Sequence, residues 1–362
     1  MPTYCRGGRM RSVLLSLTAI ALALFIGALI LLASGVSPLV AYGALLKGAF
    51  GDAQALQRTL EKATPLVFSG LAVAFAFKAS LFNIGAQGQL LLGAIIAAAV
   101  GFGVEGLPPY IHAPLALLAG ATAGALFAAI PGVLKVYTGA HEVITTIMLN
   151  YIAINLTDYL ADGPWKDRSP MNIVARTPAI LESARLPTWG PIPSGFVISV
   201  ILAGVIYWLL WKTTFGFEIR TVGQNRHAAR YAGISVAKVM IATMVISGLL
   251  AGLGGAVETQ GVVGRYQPGF NVGLGFEGIT IALLAKTHPF GVVPAALLVG
   301  AMKAGSSQMQ FAADVAKEII DVIQALMLFF ISAEFLLRRM LRMKEEAGEE
   351  KLVLSTGWGS GD

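Results

Sequence analysis

Apolar residues in this chain do not alternate with polar ones; they run in long blocks separated by short charged stretches. Residues 12–46, 79–104, 186–211 and 239–257 contain no Asp, Glu, Lys or Arg. Crossing a hydrocarbon core takes about 20 apolar residues of helix. A membrane-spanning β-barrel would instead show strict apolar/polar alternation. In lipid a helix satisfies its own backbone hydrogen bonds, so the blocks predict α-helices. The pattern predicts ten spans, at 13–33, 64–78, 84–103, 113–135, 142–161, 194–212, 239–257, 275–287, 290–307 and 318–337. The eighth is the weakest, because Glu277 and Lys286 leave only eight uncharged positions between them.

Composition agrees with that reading: 56% of residues are hydrophobic and 13% charged, against about 25% charged in soluble domains. The expected fold class is an all-α polytopic membrane protein. Its parts would be a cytoplasmic N-terminal tail (1–12), a transmembrane domain (13–337) and a C-terminal tail (338–362) whose acids, Gly and Ser predict disorder. The first span follows Arg6, Arg9 and Arg11. It is too long for a secretory signal and ends in no small-residue cleavage pattern, so it is expected to be retained. Cys5 is the only cysteine, which excludes an intrachain disulfide framework.

Ten crossings place both termini on one side. With that side cytoplasmic, 16 of the 26 Lys and Arg residues fall inside, as the positive-inside bias requires. Two outer segments stand apart. Residues 34–62 mix apolar and charged positions, as a helix at the interface would. Residues 162–193 carry six prolines with Trp165 and Trp189, either an aromatic-anchored loop or a docking surface for an external partner.

The energy source is narrowed by what the chain lacks. A phosphate-binding loop needs GxxxxGK followed by Ser or Thr, and the dipeptide Gly-Lys occurs nowhere. Gly273, Gly275 and Gly278 form a GxGxxG with no strand before it. This is better explained by a helix entry that needs close backbone approach than by a dinucleotide site. An ion-driven carrier keeps ionisable groups deep in its spans, whereas Glu142, Glu258, Glu277, Glu318, Asp321 and Glu334 all fall near predicted ends. The four histidines, His112, His141, His227 and His288, show no metal-ligand spacing, so an intramembrane enzyme is not expected. An engine supplied in trans remains, and the basic segment 213–238 between the sixth and seventh spans, with Arg220, Arg226, Arg230 and Lys238, is where it would couple.

Several strings then carry a family resemblance: FKASLFNIGAQGQLLLGAIIAA from Phe77, HEVITTIMLNYIA from His141, GFEIRTVGQNRHAARYAGI from Gly216, GITIALLAKTHPFGVVPAALLVGAM from Gly278 and VIQALMLFF from Val322. Together they resemble the permease subunits of ABC importers of the branched-chain amino acid and simple sugar class, nearest to the larger permease of nucleoside uptake systems. The resemblance covers most of residues 38–337. Gln87 stands where many members have an acid, and His141 where Asn is common.

Such a resemblance implies a non-catalytic subunit in a bacterial plasma membrane that forms half of a nucleoside pathway. A simple sugar or another small polar solute is the alternative, with an ion-driven carrier behind both. It also implies a second, shorter permease, an external solute-binding lipoprotein and a cytoplasmic ATPase, often with two fused nucleotide-binding halves, which would hold ATP and Mg; this chain would bind no cofactor and no nucleic acid. By the same resemblance the coupling positions are Gly223, Asn225, Arg226, Ala228, Ala229, Arg230, Tyr231, Ala232, Gly233 and Ile234.

Pathway candidates come from the polar breaks. Asn83, Gln87 and Gln89 interrupt an apolar run, the pattern of a broken helix tolerated only where it lines a cavity or is buried in protein. Phe82–Gly85 (FNIG) recurs as FNVG at 270–273, adding Asn271 and nearby Glu277, and the predicted topology sends the two spans in opposite directions, as an inverted repeat would. Glu142, Thr146 and Asn150 are spaced by four, so they share one helix face; Asn155 and Thr157 extend the polarity. Uncharged amides suit solute hydroxyls and ring nitrogens, or equally hydrogen bonds between helices. Gly120xxxGly124 and Gly248xxxGly252 read as close helix contacts.

Overall fold

The structure, a computed structural model, describes residues 4–169, 172–269, 273–314 and 318–332. Among them every predicted span is occupied by a helix. In chain order these are α1 (Tyr4–Ala33), α2 (Pro38–Phe50), α3 (Ala53–Phe77), α4 (Ala86–Gly103), α5 (Pro109–Thr138), α6 (Glu142–Asp162), α7 (Ser194–Lys212), α8 (Thr214–Gln224), α9 (Arg226–Tyr231), α10 (Val236–Glu258), α11 (Leu274–Leu284), α12 (Pro289–Ala313) and α13 (Glu318–Ser332). Seven helical runs are by themselves long and apolar enough to cross a membrane, and residues 20–33, 38–50 and 274–284 form shorter apolar helices.

Several boundaries differ from the sequence expectation. α1 already begins at Tyr4, so most of the expected N-terminal tail is helical. α3 begins at Ala53 rather than residue 64, because Asp52 accepts a hydrogen bond from the Ala55 amide at 2.6 Å and so caps the helix start. Gln57 and Glu61, one turn apart, add a 2.8 Å side-chain bond. α10 continues through a π-helical turn, Thr259–Val263, closed by Gly264 at φ +71°. That extension leaves Glu258 buried inside a continuous helical run instead of at its end. α11 has only 11 residues, which rise about 16 Å against a core of about 30 Å. The expected C-terminal tail, 338–362, lies outside the described residues.

The chain divides into two compact units. The smaller joins residues 1–62 to 297–352. Its core is Ala23, Leu31, Ala41, Leu45, Met302, Met309 and Ile323, and Tyr42 ties α2 to the Leu24 carbonyl at 2.7 Å. Gly48 of α2 and Gly305 of α12 permit backbone contact there; a Cβ on either would strike the opposing helix.

The larger unit, from residue 63 to 296, is organised by α10, which packs on α4 and α5. Lipid supplies no hydrophobic drive between helices, so close approach of small residues does the work. Gly93, Gly120, Gly124, Gly248, Gly252 and Gly255 meet at this three-helix seam, Gly124 against the Gly248 carbonyl and Gly255 against the Leu90 carbonyl. Both glycine pairs picked out in the sequence are therefore helix contacts.

The segment after α6 is ordered where it is described. It contains a 3-10 turn at Glu182–Ala184 and a two-residue hairpin, β1 (Thr188–Trp189) with β2 (Ile192–Pro193). The Thr177 amide donates to the Tyr266 carbonyl at 3.0 Å, Ile180 to Gly264 at 2.9 Å and Leu181 to Gly101 at 2.9 Å. Trp165 packs against the cluster of Leu91, Ile95, Ile180 and Tyr266. Burial pushes the Tyr266 phenol up to about 12, so it stays neutral. Asp167 receives the Ser169 amide at 3.1 Å and pairs with Arg176 at 3.3 Å. The Ser169 amide and the Arg176 charge hold its carboxyl below the usual range.

Candidate functional site

The chain breaks helical geometry between Phe77 and Ala86, and the polar residues singled out in the sequence gather around that break. Asn83 Nδ2 donates to Gln89 Oε1 at 2.8 Å, and Gln89 Nε2 returns a bond to Asn83 Oδ1 at 3.0 Å. Asn83 also donates to Ser247 Oγ at 2.8 Å, and the Ser247 hydroxyl donates to the Ala72 carbonyl at 2.7 Å. This short network joins α3, α4 and α10 across the break.

Asn150 performs a second repair. The Gly88 amide donates to Asn150 Oδ1 at 2.8 Å, and Asn150 Nδ2 donates to the Ile84 carbonyl at 2.9 Å. Residues 84 and 88 are one helical turn apart, so the amide of Asn150 replaces the backbone bond that a continuous helix would have made. Buried backbone groups must find such partners. A Cβ on Gly88 would come within 3.0 Å of Asn150 Oδ1, so glycine is what lets the amide in.

Gln87 reaches the start of α11, where its Oε1 accepts from the Gly275 amide at 2.8 Å. Gly273 sits at φ +91°, Gly275 lies against the Gln87 backbone and Gly278 against Ser69. The GxGxxG string is thus a helix start pressed onto its neighbours, the close approach anticipated for it. Asn83, Gln87, Gln89, Thr146 and Asn150 are all buried. Glu142, one turn below Thr146 on the same face of α6, pairs with Lys135 at 2.8 Å. Glu277 is half-buried in the first turn of α11. Asn155 instead points outward, its amide spent on the Tyr151 carbonyl at 2.7 Å. Asn271 and most of the second FNIG-like string lie outside the described residues.

The basic segment folds as two short helices. Thr213 caps α8, accepting from the Gly216 amide at 3.0 Å. Asn225 caps α9, accepting from Ala228 at 3.0 Å. α9 ends in a Schellman motif: Gly233 takes φ +81°, its amide donates to Arg230 O, and the Ile234 amide donates to Ala229 O, both at 3.0 Å. Asn225 therefore fixes the start of α9, and Gly233 and Ile234 fix its end.

Ala229 is buried beneath α9, whereas Ala228, Arg230 and Ala232 are exposed and Tyr231 is 94% exposed. Arg226 turns inward, Nη2 reaching the Ser80 carbonyl at 3.5 Å. Ser80 Oγ donates to the Gly223 carbonyl at 2.7 Å. Gly223 packs directly on the Lys78 carbonyl, leaving no room for a Cβ. The α8–α9 junction is fastened to the helix break three residues before Asn83.

Sequence reasoning missed Ser80 and Ser247. Ser247 had a readable signal, a hydroxyl beside Gly248 in an apolar span, where small polar residues bond across helices. Ser80 had none, since its role depends on φ +52° and on a partner 143 positions away. Among the described residues no group of three or more His, Cys, Asp or Glu is placed to hold a metal ion.

A family profile described as "Branched-chain amino acid transport system / permease component" matches residues 55–332. The chain belongs to that family and is a multi-pass membrane permease. It is 40% identical over 345 residues to a guanosine ABC transporter permease of Bacillus subtilis, covering 94% of this chain and 99% of that one. A nucleoside ABC transporter permease of Lactococcus lactis is 35% identical, with 91% and 93% covered. A glucose ABC transporter permease of Haloferax volcanii is also 35% identical, with 87% and 86% covered.

Proposed function

We propose that this chain is the permease subunit of an ABC importer that forms half of a nucleoside pathway and is driven through α9 by a separate ATPase. Full-length similarity to two nucleoside permeases supports the solute class. The glucose permease supports a second reading, a simple sugar. The observation that carries the coupling role is the pair of contacts from Ser80 to Gly223 and Arg226. They tie an exposed helix to the helix break at Asn83.

ATP and Mg would sit on the ATPase, which can carry two fused nucleotide-binding halves, with a shorter permease and an external solute-binding lipoprotein completing the complex. Both termini and the segment 213–238 would face the cytoplasm, as the distribution of Lys and Arg favours. Tyr231 and Arg230 are the residue types that anchor interfaces, and they stand on the face of α9 turned away from the bundle. ATP-driven movement of the partner would shift α9 and, through Ser80, the break in which Asn83, Gln87 and Gln89 are held. The pathway would open beside these residues together with Glu142, Thr146, Asn150, Asn271 and Glu277. Here the inward-facing amides stabilise irregular backbone and the solute is met by the rim of that segment.

Uptake of labelled guanosine and labelled glucose into vesicles holding the complete complex tests both readings. ATP-dependent accumulation of guanosine, competed by unlabelled nucleosides and not by glucose, is expected. Accumulation of glucose alone would replace the nucleoside reading, and accumulation under an ion gradient without ATP would remove the ABC reading.

A further inference from the structure

The π turn that ends α10, Thr259–Val263, holds a buried amide that the pathway does not use. Such turns are uncommon inside helices and are frequent at functional sites. Gln260, in this turn, is 2% exposed. Its Nε2 donates to two carbonyls, that of Ala113 in the first turns of α5 at 3.1 Å and that of Ala184 in the 3-10 turn at 2.8 Å. The Gln260 carbonyl in turn accepts from the Leu186 amide at 3.2 Å. One residue therefore ties α10 both to α5 and to the stretch Ala184–Leu186.

That stretch divides the segment between α6 and α7 into two parts. Residues 177–181 are anchored on their own, by the backbone bonds of Thr177, Ile180 and Leu181 and by the burial of Ile180 in the apolar cluster. Residues 187–190 are exposed and carry the hairpin that leads into α7, where the Ser194 amide donates to the Pro187 carbonyl at 3.3 Å. The Gln260 contacts stand where the hairpin arm meets the bundle. Gln260 Oε1 is buried with no hydrogen-bond partner among the described residues, and that desolvated oxygen offsets part of what the two donated bonds contribute. The arm is thus fastened by a few polar contacts to one turn. Ser247, which accepts from Asn83 at the helix break, lies 13 positions before Gln260 on the same helical run, about 20 Å along its axis. A shift of α10 at the break is carried by that run to the π turn.

We propose that Gln260 is the latch that holds the hairpin arm, residues 184–193, against α5 and α10, and that the latch opens during each transport cycle. The inference rests on the reading of the chain as a transporting permease and not on which solute it carries. Transport then requires the arm to leave the π turn, and the Gln260 amide sets how readily it does so.

A reversible crosslink tests this. A Cβ built on Gly261 lies 4.0 Å from Leu186 Cβ, within the span of a disulfide. In the complete complex with Cys5→Ser, Leu186→Cys and Gly261→Cys, oxidation should form the crosslink. It should also lower ATP-dependent uptake at least about tenfold, measured with whichever of labelled guanosine or glucose the reduced complex accumulates. Reduction should restore uptake, and neither single cysteine should respond to oxidant. In Gln260→Leu, hydrogen exchange at the amides of 184–186 should quicken about tenfold, the effect of two lost hydrogen bonds, while exchange at 177–181 stays as in wild type. Absence of the crosslink, full uptake by the crosslinked complex, or unchanged exchange in Gln260→Leu would overturn the proposal. An unmodified complex that accumulates neither solute would count against the permease reading instead, and the exchange measurement would still decide the latch.

Discussion

Ser80 Oγ donates a 2.7 Å hydrogen bond to the carbonyl of Gly223, joining the turn after α3 to the junction of α8 and α9. Ser80 holds φ +52° to do so, a region that costs a non-glycine residue about 1–2 kcal/mol. The Arg226 side chain adds a bond to the Ser80 carbonyl at 3.5 Å, so one residue is held by both helices of the basic segment. Three positions later Asn83 enters the network with Gln89 and Ser247. These contacts are the route by which the proposed displacement of α9 would reach the broken helix.

Replacing Ser80 by Gly separates stability from coupling. The lost hydrogen bond costs about 1 kcal/mol, and glycine recovers a similar amount at positive φ. Thermal stability should stay close to wild type while solute uptake falls several-fold with the partner's ATPase activity retained. Parallel melting and uptake assays check it; unchanged uptake would remove Ser80 from the coupling route.

Gly252 tests the helix seam. Its missing Cβ lets α10 meet the Gly120 carbonyl and the Gly124 backbone, and overpacking of such a contact costs about 1–3 kcal/mol. Gly252→Ala should lower the denaturation midpoint of the purified chain. Gly204→Ala, which meets nothing within 4 Å, should leave it unchanged or raise it through a stability gain of up to ~1 kcal/mol.

Asn150→Leu takes from the Gly88 amide and the Ile84 carbonyl the partner that Asn150 supplies. Each buried group so exposed costs about 1–3 kcal/mol. Asn150→Asp can fill both roles only as the protonated acid, whose carbonyl oxygen accepts and whose O–H donates, so it should fall between Leu and wild type at pH values where the carboxyl is neutral. Unfolding midpoints of the three proteins give the order directly.

The segment between α6 and α7 should loosen in acid. In the folded chain the Asp167 carboxyl titrates below its usual value because of the Ser169 amide and Arg176, whereas in the unfolded chain it titrates near about 3.9. A depressed native value gives stability that is present above the unfolded value and lost as the pH falls through the folded one. Protease nicking within 162–193 should be flat from pH 8 to about 5 and rise below about 4. Asp167→Asn should be nicked faster at neutral pH.

Much of the helical order was legible because the lipid solvent imposes long apolar runs, and these map to helices at each of the ten expected positions. The ends were not. α3 starts early because Asp52 caps it, and α10 runs on into a π turn closed by Gly264; both depend on single local bonds that hydropathy does not register. The amides at 83, 87, 89 and 150 stood out as polar breaks, and the structure brings them together. Their partners did not stand out, since Asn150 pairs with residues 62 and 66 positions away. α9 was readable from its basic residues, whereas its attachment through Ser80 required the folded chain.

The central claim is that the exposed face of α9 receives the ATPase. Its most direct test is ATP-dependent guanosine uptake, with co-purification of the ATPase, by a complex carrying Arg230→Glu and Tyr231→Ala, two changes on side chains that face away from the bundle. Loss of uptake together with a weakened hold on the ATPase, in a chain that melts like wild type, is the predicted result. Full uptake with the ATPase retained would contradict it.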